Sequence, residues 1–347
     1  MKTDVFPIIK HIFNYIFIIL LAVLCGGNNN NPDYLAYEML YYNTSEINEG
    51  AWLEYLIISI FNNLEVSFEL YRLVVYFVGY YLIFKALRMY IRDTLTFSLL
   101  YMLFPMMMDA TQTTNFMSMA MVFYGLCSYS KSYNEKEYIF YILLAGGYHF
   151  IAYIYLPFVF CINKDTNTLK NNIVGIICIS LLFSLLLFPV LLPVLKILSI
   201  YTQNWFGGRI ARYVLNEQTN LGHYYYYSLH IITIFLSNYI HKLVIKENVE
   251  NNNNINGFMK LAVRFNTFLL IYFPFLHFNA TAFRIWRICI ILVYLMTTIV
   301  LNYKYKSSTK TKCFILTVIY AISYMYLLLI NGYMENIVST FTSNNFW

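Results

Sequence analysis

Charge is what this sequence has least of. Of its 347 residues only 12% are Asp, Glu, Lys or Arg, about half the share a soluble domain carries. That excludes an ordinary water-solvated globule. Cysteine is scarce and unpaired: six occur singly, with no CxxC, and read as small buried hydrophobes rather than disulfides or metal ligands. Strict apolar/polar alternation is missing, which argues against a membrane β-barrel. There is no Walker loop, no GxGxxG after a strand, no HExxH, no GxSxG and no DxD-like metal site. Nothing therefore points to ATP, a bound metal, an organic cofactor or nucleic acid.

What is there is apolar. Hydrophobic residues make up 60% and aromatics 20%, with a mean hydropathy of +0.56. Apolar runs of about 15–25 residues separated by short polar patches predict a polytopic all-α membrane protein, a single integral membrane domain over 1–347. The first run, Ile12–Cys25, follows Lys2 and Lys10 and reads as a retained first helix. Further spans are expected near 69–84, 94–108, 116–130, 172–198, 223–245, 259–275, 283–302 and 313–332.

Basic residues orient these spans. The 26–67 segment carries Asp33, Glu38, Glu46, Glu49, Glu54 and Glu65 but no Lys or Arg. It is read as external, with the N-terminus cytoplasmic and a second external loop at 199–222. The stretch "LLAGGYHFIAYIYLPF", Leu143–Phe158, decides the rest. One span over 138–162 would put Lys164, Lys170 and later Lys304, Lys306, Lys310 and Lys312 outside. A break at Gly146-Gly147 gives two short helices, about 138–146 and 149–162, and returns those lysines and the 246–258 loop to the cytoplasm. About eleven segments result, with the C-terminus outside. Half-spans of about 10–14 residues reach only about 15–21 Å, short of a hydrocarbon core of about 30 Å. The Gly-Gly-Tyr-His turn is therefore expected in an outward-facing recess, where irregular backbone is tolerated against protein or water.

In this topology the cytoplasmic cations are mostly lysines. Arg72, Lys196, Arg209, Arg212, Arg284 and Arg287 fall on or near the outer side. The positive-inside rule does not ask for arginine there. Arginine's planar fork binds phosphate in a bidentate way, so an outer arginine group suggests a phosphate or pyrophosphate ligand. Snorkelling at the interface and pairing with the acidic loop are the plainer alternatives. Tyr34, Tyr37 and Tyr41 share a helix face beside Asp33. Rings beside carboxylates suit a sugar-binding surface and equally an interfacial aromatic belt. Trp52, Tyr55, Ile58 and Ile60 predict an amphipathic helix in the outer interface. "DATQTTNFMSMA", 109–120, joins two spans on the outer side and is unusually polar. His223 marks re-entry after the second external loop.

Four pieces, in order, carry a resemblance: a first helix followed by "GGNNNNPDYLAYEMLY", then "TTNFMSMA" opening a span, then "AGGYHFIAYIYLP", then "NATAFRIWRI" entering a late span. In this order and spacing the chain resembles the EpsG-type, Wzy-like polymerases of bacterial capsule, exopolysaccharide and O-antigen. The family's second piece usually has an arginine before the Asn or Gln; Thr114 stands there, before Asn115. The histidine piece matches best, at His149. The resemblance implies a membrane glycosyltransferase, compatible with a GT-C-like architecture, in the bacterial inner membrane. It joins polyprenyl-pyrophosphate-linked repeat units at the outer face, without metal or nucleotide sugar. Under it, His149 or Asp33 is the expected base. Arg72, Arg209, Arg212, Arg284 and Arg287 hold the pyrophosphate, and Tyr34, Tyr37, Asn115 and His223 line the substrate site. A chain-length regulator is an expected partner. A lipid-glycan flippase or transporter, and a membrane acyltransferase, are the rival readings.

Overall fold

The computed structural model describes residues 5–30, 33–44, 50–162, 222–247, 253–273, 280–330, 338 and 342–346. Among them every regular element is a helix, and the one extended pairing is an isolated bridge between Asn28 and Asn344. The expected span at 172–198 and the 199–222 loop lie outside the described residues.

α1 (Val5–Gly27) packs along α4 (Phe68–Leu87), with α2 (Tyr34–Tyr42) and α3 (Trp52–Asn63) between them in sequence. α5 (Leu95–Leu103), α6 (Met106–Asp109) and α7 (Thr113–Ser132) follow, then α8 (Glu135–Tyr148). Later come α9 (Gly222–Glu247), α10 (Asn253–Phe268), α11 (Arg287–Asn302) and α12 (Ser307–Ile330). Among the described residues three helical stretches are long and apolar enough to cross a membrane: Phe68–Leu87, Tyr225–Glu247 and Phe283–Asn302. α7 and α11 form the centre, buried along nearly their whole lengths.

Local chemistry explains several boundaries. Ser67 caps α4 by accepting from the Leu70 amide at 3.3 Å, with Glu69 in the first turn and Lys85 in the last, both favourable to the helix dipole. Asn134 caps α8 through the Lys136 amide at 3.1 Å, and Glu137 accepts from Ser128 at 2.8 Å and Ser132 at 2.7 Å. α2 and α3 bury one side and expose Leu35, Met39 and Tyr42, and Trp52, Tyr55, Leu56 and Ile60. Two-faced helices of this kind suit an interface.

The 138–162 stretch is broken, but not at the glycines. α8 runs through Gly146 and Gly147 to Tyr148, His149 is extended (φ −145°, ψ 111°), and a 3-10 helix occupies Phe150–Phe160. The glycines serve packing. A Cβ on Gly146 would lie 2.2 Å from the Tyr153 ring, and one on Gly147 2.4 Å from the Trp52 indole. The 3-10 arm folds back along α8: the Tyr138 hydroxyl donates to the Tyr155 carbonyl at 2.7 Å, and Tyr138 meets Phe158 edge-on. Both arms are short, about 21 Å for fourteen α-helical residues and about 22 Å for eleven 3-10 residues. His149 is the tip of this hairpin.

The bundle has two chemically different ends. One collects Lys85, Lys131, Glu247 and Lys306: Lys131 sits over the Tyr90 ring, the Lys306 amide donates to Glu247, and Asn302 reaches the Asp93 carbonyl. Both arms of the hairpin begin or end there, and Arg264 donates to the Ile162 carbonyl at 2.7 Å. The opposite end collects Asp33, Arg72, Asp109, Thr114, Tyr148 and the start of α11.

Candidate active site

At that second end, α2, α3, α4 and α7 enclose a small cavity of about 10 Å³, lined by Tyr37, Glu54, Tyr71, Arg72, Thr113 and Thr114 with apolar Leu40, Ile58 and Phe68. That is about the space one water needs. Tyr37 Oη lies 3.3 Å from Thr114 Oγ1, tying α2 to the start of α7. Tyr71 Oη lies 3.0 Å from Tyr148 Oη, tying α4 to the hairpin. His149 follows Tyr148 at the hairpin tip, half-buried, its ring stacked on Phe150 with an interplanar angle of 17°.

Asp33 precedes α2 and is half-buried. Burial pushes its carboxyl above the usual range, and the nearby Arg284 guanidinium pulls in the opposite direction. Asp33 and Arg284, a long way apart in sequence, thus face each other electrostatically. Arg284 sits on the 3-10 helix Ala280–Trp286 that leads into α11, and it is half-exposed.

The other two described arginines of the outer group, Arg72 and Arg287, are not open to a ligand in this way. Arg287, the first residue of α11, turns into the interior. It is fully buried and ion-paired to Asp109, itself fully buried, and its Nη1 donates to Gln112 Oε1 at 2.6 Å. A cation in the interior is held by a charge partner and hydrogen bonds rather than left for substrate. Tyr101 donates to the same carboxylate, and Tyr76 donates to the Asp109 carbonyl at 2.6 Å. Arg72 is also buried. Its Nη1 donates to the Asn28 carbonyl at 2.7 Å and its Nη2 to the Cys25 carbonyl at 3.2 Å. It caps the C-terminal end of α1, where a cation also complements the helix dipole.

The tyrosine face of α2 is no open sugar platform. Tyr34 packs edge-on to Phe68 with the Arg72 guanidinium 5.0 Å from its ring centre, and Tyr41 packs on Phe68 and Tyr71. Only Tyr37 remains at the cavity. Asn115 is buried and donates to Gln112 Oε1 at 3.3 Å, joining the Arg287 network rather than a surface. Arg209 and Arg212 lie outside the described residues. His223 falls in the first turn of α9, and its side chain lies outside them too. Among the described residues no cluster of His, Cys, Asp and Glu could hold a metal ion.

Sequence reasoning missed three contributors. Glu54 was one acid among several in the first loop; only the packing of α3 on α8 turns it inward. Asp109 and Gln112 were two residues of an unusually polar connection between spans. An acid and an amide flanking a span start, with an arginine at the start of a later span, was the available signal.

The fold and site define a membrane-embedded all-α protein with a small recess, lined by polar and apolar side chains, at one end of the bundle. The EpsG family profile matches residues 11–341, nearly the whole chain, and the chain belongs to that family, which covers Wzy-like polysaccharide polymerases. No curated protein and no solved structure matches it.

Proposed function

We propose that the chain is a polymerase that joins polyprenyl-pyrophosphate-linked oligosaccharide repeat units into capsule, exopolysaccharide or O-antigen chains at the outer face of the inner membrane. The observation that supports it best is the Asp33–Arg284 pair at the end of the bundle opposite the lysine-rich end. Lysine-rich loops belong inside, which supports a reading with the recess at the outer face and the N-terminus in the cytoplasm.

In this reading an acceptor hydroxyl oxygen bonds to the anomeric carbon of the donor, and the bond from that carbon to the pyrophosphate oxygen breaks. The hydroxyl proton passes to the Asp33 carboxylate, whose raised proton affinity suits a base. Arg284 holds the charge that develops on the departing pyrophosphate. Arg209 and Arg212 are assigned to the same anion. His149, at the hairpin tip, orients the acceptor hydroxyl or shares its proton. Arg287, buried on Asp109, sets the start of α11 and hence Arg284. About eleven membrane segments and a GT-C-like arrangement belong to the same proposal.

The test is polymer length in cells that carry Asp33→Ala, Arg284→Ala or His149→Ala in place of the wild-type chain. The reading expects single repeat units to accumulate on the outer leaflet in the first two. Units trapped on the cytoplasmic leaflet would favour a flippase, and normal chain length in both Asp33→Ala and Arg284→Ala would overturn the assignment.

A further inference from the structure

Residues 342–346 return to the end of α1. The Asn28–Asn344 bridge is flanked by the Asn29 amide on the Ser343 carbonyl at 3.2 Å and the Asn345 amide on the Gly27 carbonyl at 2.9 Å. The Asn344 side chain goes further. Its Nδ2 donates to the Val23 carbonyl at 2.9 Å and the Leu24 carbonyl at 3.3 Å, while its Oδ1 accepts from the Phe346 amide at 2.9 Å. A Cβ on Gly27 would lie 1.9 Å from that Oδ1, so only glycine admits it. Together with Arg72, which takes the Cys25 and Asn28 carbonyls, the segment satisfies the carbonyls that every helix end leaves open. Two distant parts of the chain do this.

The contact does not stop at α1. Asn345 Nδ2 donates to Tyr34 Oη at 3.1 Å, and Tyr34 Oη donates to Glu69 Oε1 at 3.3 Å. Asn29 donates to the Asn345 side chain as well. Tyr34 is the first residue of α2 and follows Asp33 directly. Among the described contacts, a polar thread therefore runs from 344 and 345 through Tyr34 to the residue beside Arg284.

We propose that residues 342–346 are a positioning strap for the candidate site: seated on α1 and on Tyr34, they hold Asp33 opposite Arg284 through each turnover. This rests on the assignment of Asp33 and Arg284 above. Asn344 and Asn345 are its positioning residues.

A cysteine pair tests it. Asn28 and Asn344 are a non-hydrogen-bonded antiparallel pair, whose Cα atoms lie about 4.5 Å apart, within disulfide reach. Asn28→Cys/Asn344→Cys should cross-link in native membranes under mild oxidation, read by mass spectrometry of the linked peptides. With the full chain and its endogenous lipid-linked units, the reduced form should polymerise more slowly than wild type, and the oxidised form should recover to within about twofold. Thiols that stay unlinked, or oxidised membranes no faster than reduced ones, would overturn the strap. Asn345→Ala guards against a folding artefact. Its turnover per folded protein should fall about two- to tenfold, the effect of losing the bond to Tyr34 Oη. Membrane abundance should stay unchanged, and stability should fall by no more than about 1 kcal/mol for each of its two side-chain hydrogen bonds. The acid limb of its rate should also move to lower pH, because water reaching Asp33 weakens the burial that raises its proton affinity, with Arg284 and Tyr37 still facing it. An unmoved acid limb refutes the positioning role. Linkage is read without any polymer assay, and wild-type membranes run in parallel report whether polymer is made at all, so the two readings fail separately.

Discussion

Removing the Asp109 carboxylate isolates a buried cation. Arg287 and Asp109 are both fully buried, and the carboxylate also accepts from Tyr101. Taking one partner from such a pair leaves the other charge without compensation, at a cost of about 3–5 kcal/mol. Asp109→Leu and Arg287→Met should each lose about that much. The double variant Asp109→Leu/Arg287→Met removes both charges. It leaves Gln112 Oε1 without its 2.6 Å donor and Tyr101 without its acceptor, a loss of about 1 kcal/mol for each hydrogen bond. The double variant should therefore be more stable than either single one, with a favourable coupling of about 3 kcal/mol or more. Thermal unfolding in detergent, followed by size-exclusion fluorescence, gives the ordering, and denaturant titration gives the magnitudes. Singles that add to the double within about 0.5 kcal/mol would refute the buried pair.

Gly147→Ala should destabilise by about 1–3 kcal/mol, because the new methyl would lie 2.4 Å from the Trp52 indole. Gly147→Ala combined with Trp52→Leu should recover part of the loss, as measured by unfolding midpoint. Asp33 carries a folded-state pKa raised by burial, so its contribution to stability is fully present below its unfolded pKa and lost as pH rises through the folded one. Asp33→Asn should accordingly be at least as stable as wild type near neutral pH while losing polymerisation, and in the wild type polymerisation should fall as pH drops through the raised Asp33 pKa. A cysteine placed at His149 should react with an impermeant thiol reagent added from outside, whereas one at Lys131 should react only after permeabilisation; labelling at 131 in intact cells would invert the topology.

The class of fold was legible because membrane insertion reads composition. A chain with 12% charge and long apolar runs has one economical way to satisfy its backbone, and that is helices. The positions of α4, α7, α9, α11 and α12 follow from those runs within a few residues. The hairpin was legible for a global reason, the placement of lysines. Its pivot was not, since glycine marks both a bend and a close approach, and only the Tyr153 and Trp52 rings decide that Gly146 and Gly147 are the second.

The candidate site divides in the same manner. The sequence by itself determined which residue types were available: arginines away from the lysine-rich loops, an aspartate before a tyrosine-rich helix, a histidine inside a short hairpin. These are counts and spacings, which one strand of text contains. What only the tertiary structure decided is pairing. Arg287 meets Asp109 in the interior and Arg72 meets the end of α1, while Arg284 stays half-exposed with its charge acting on Asp33. Three arginines with the same chemistry take three roles because charge in a low-dielectric interior is governed by what stands within a few ångströms of it, and that neighbour is set by helix packing across a hundred or more residues.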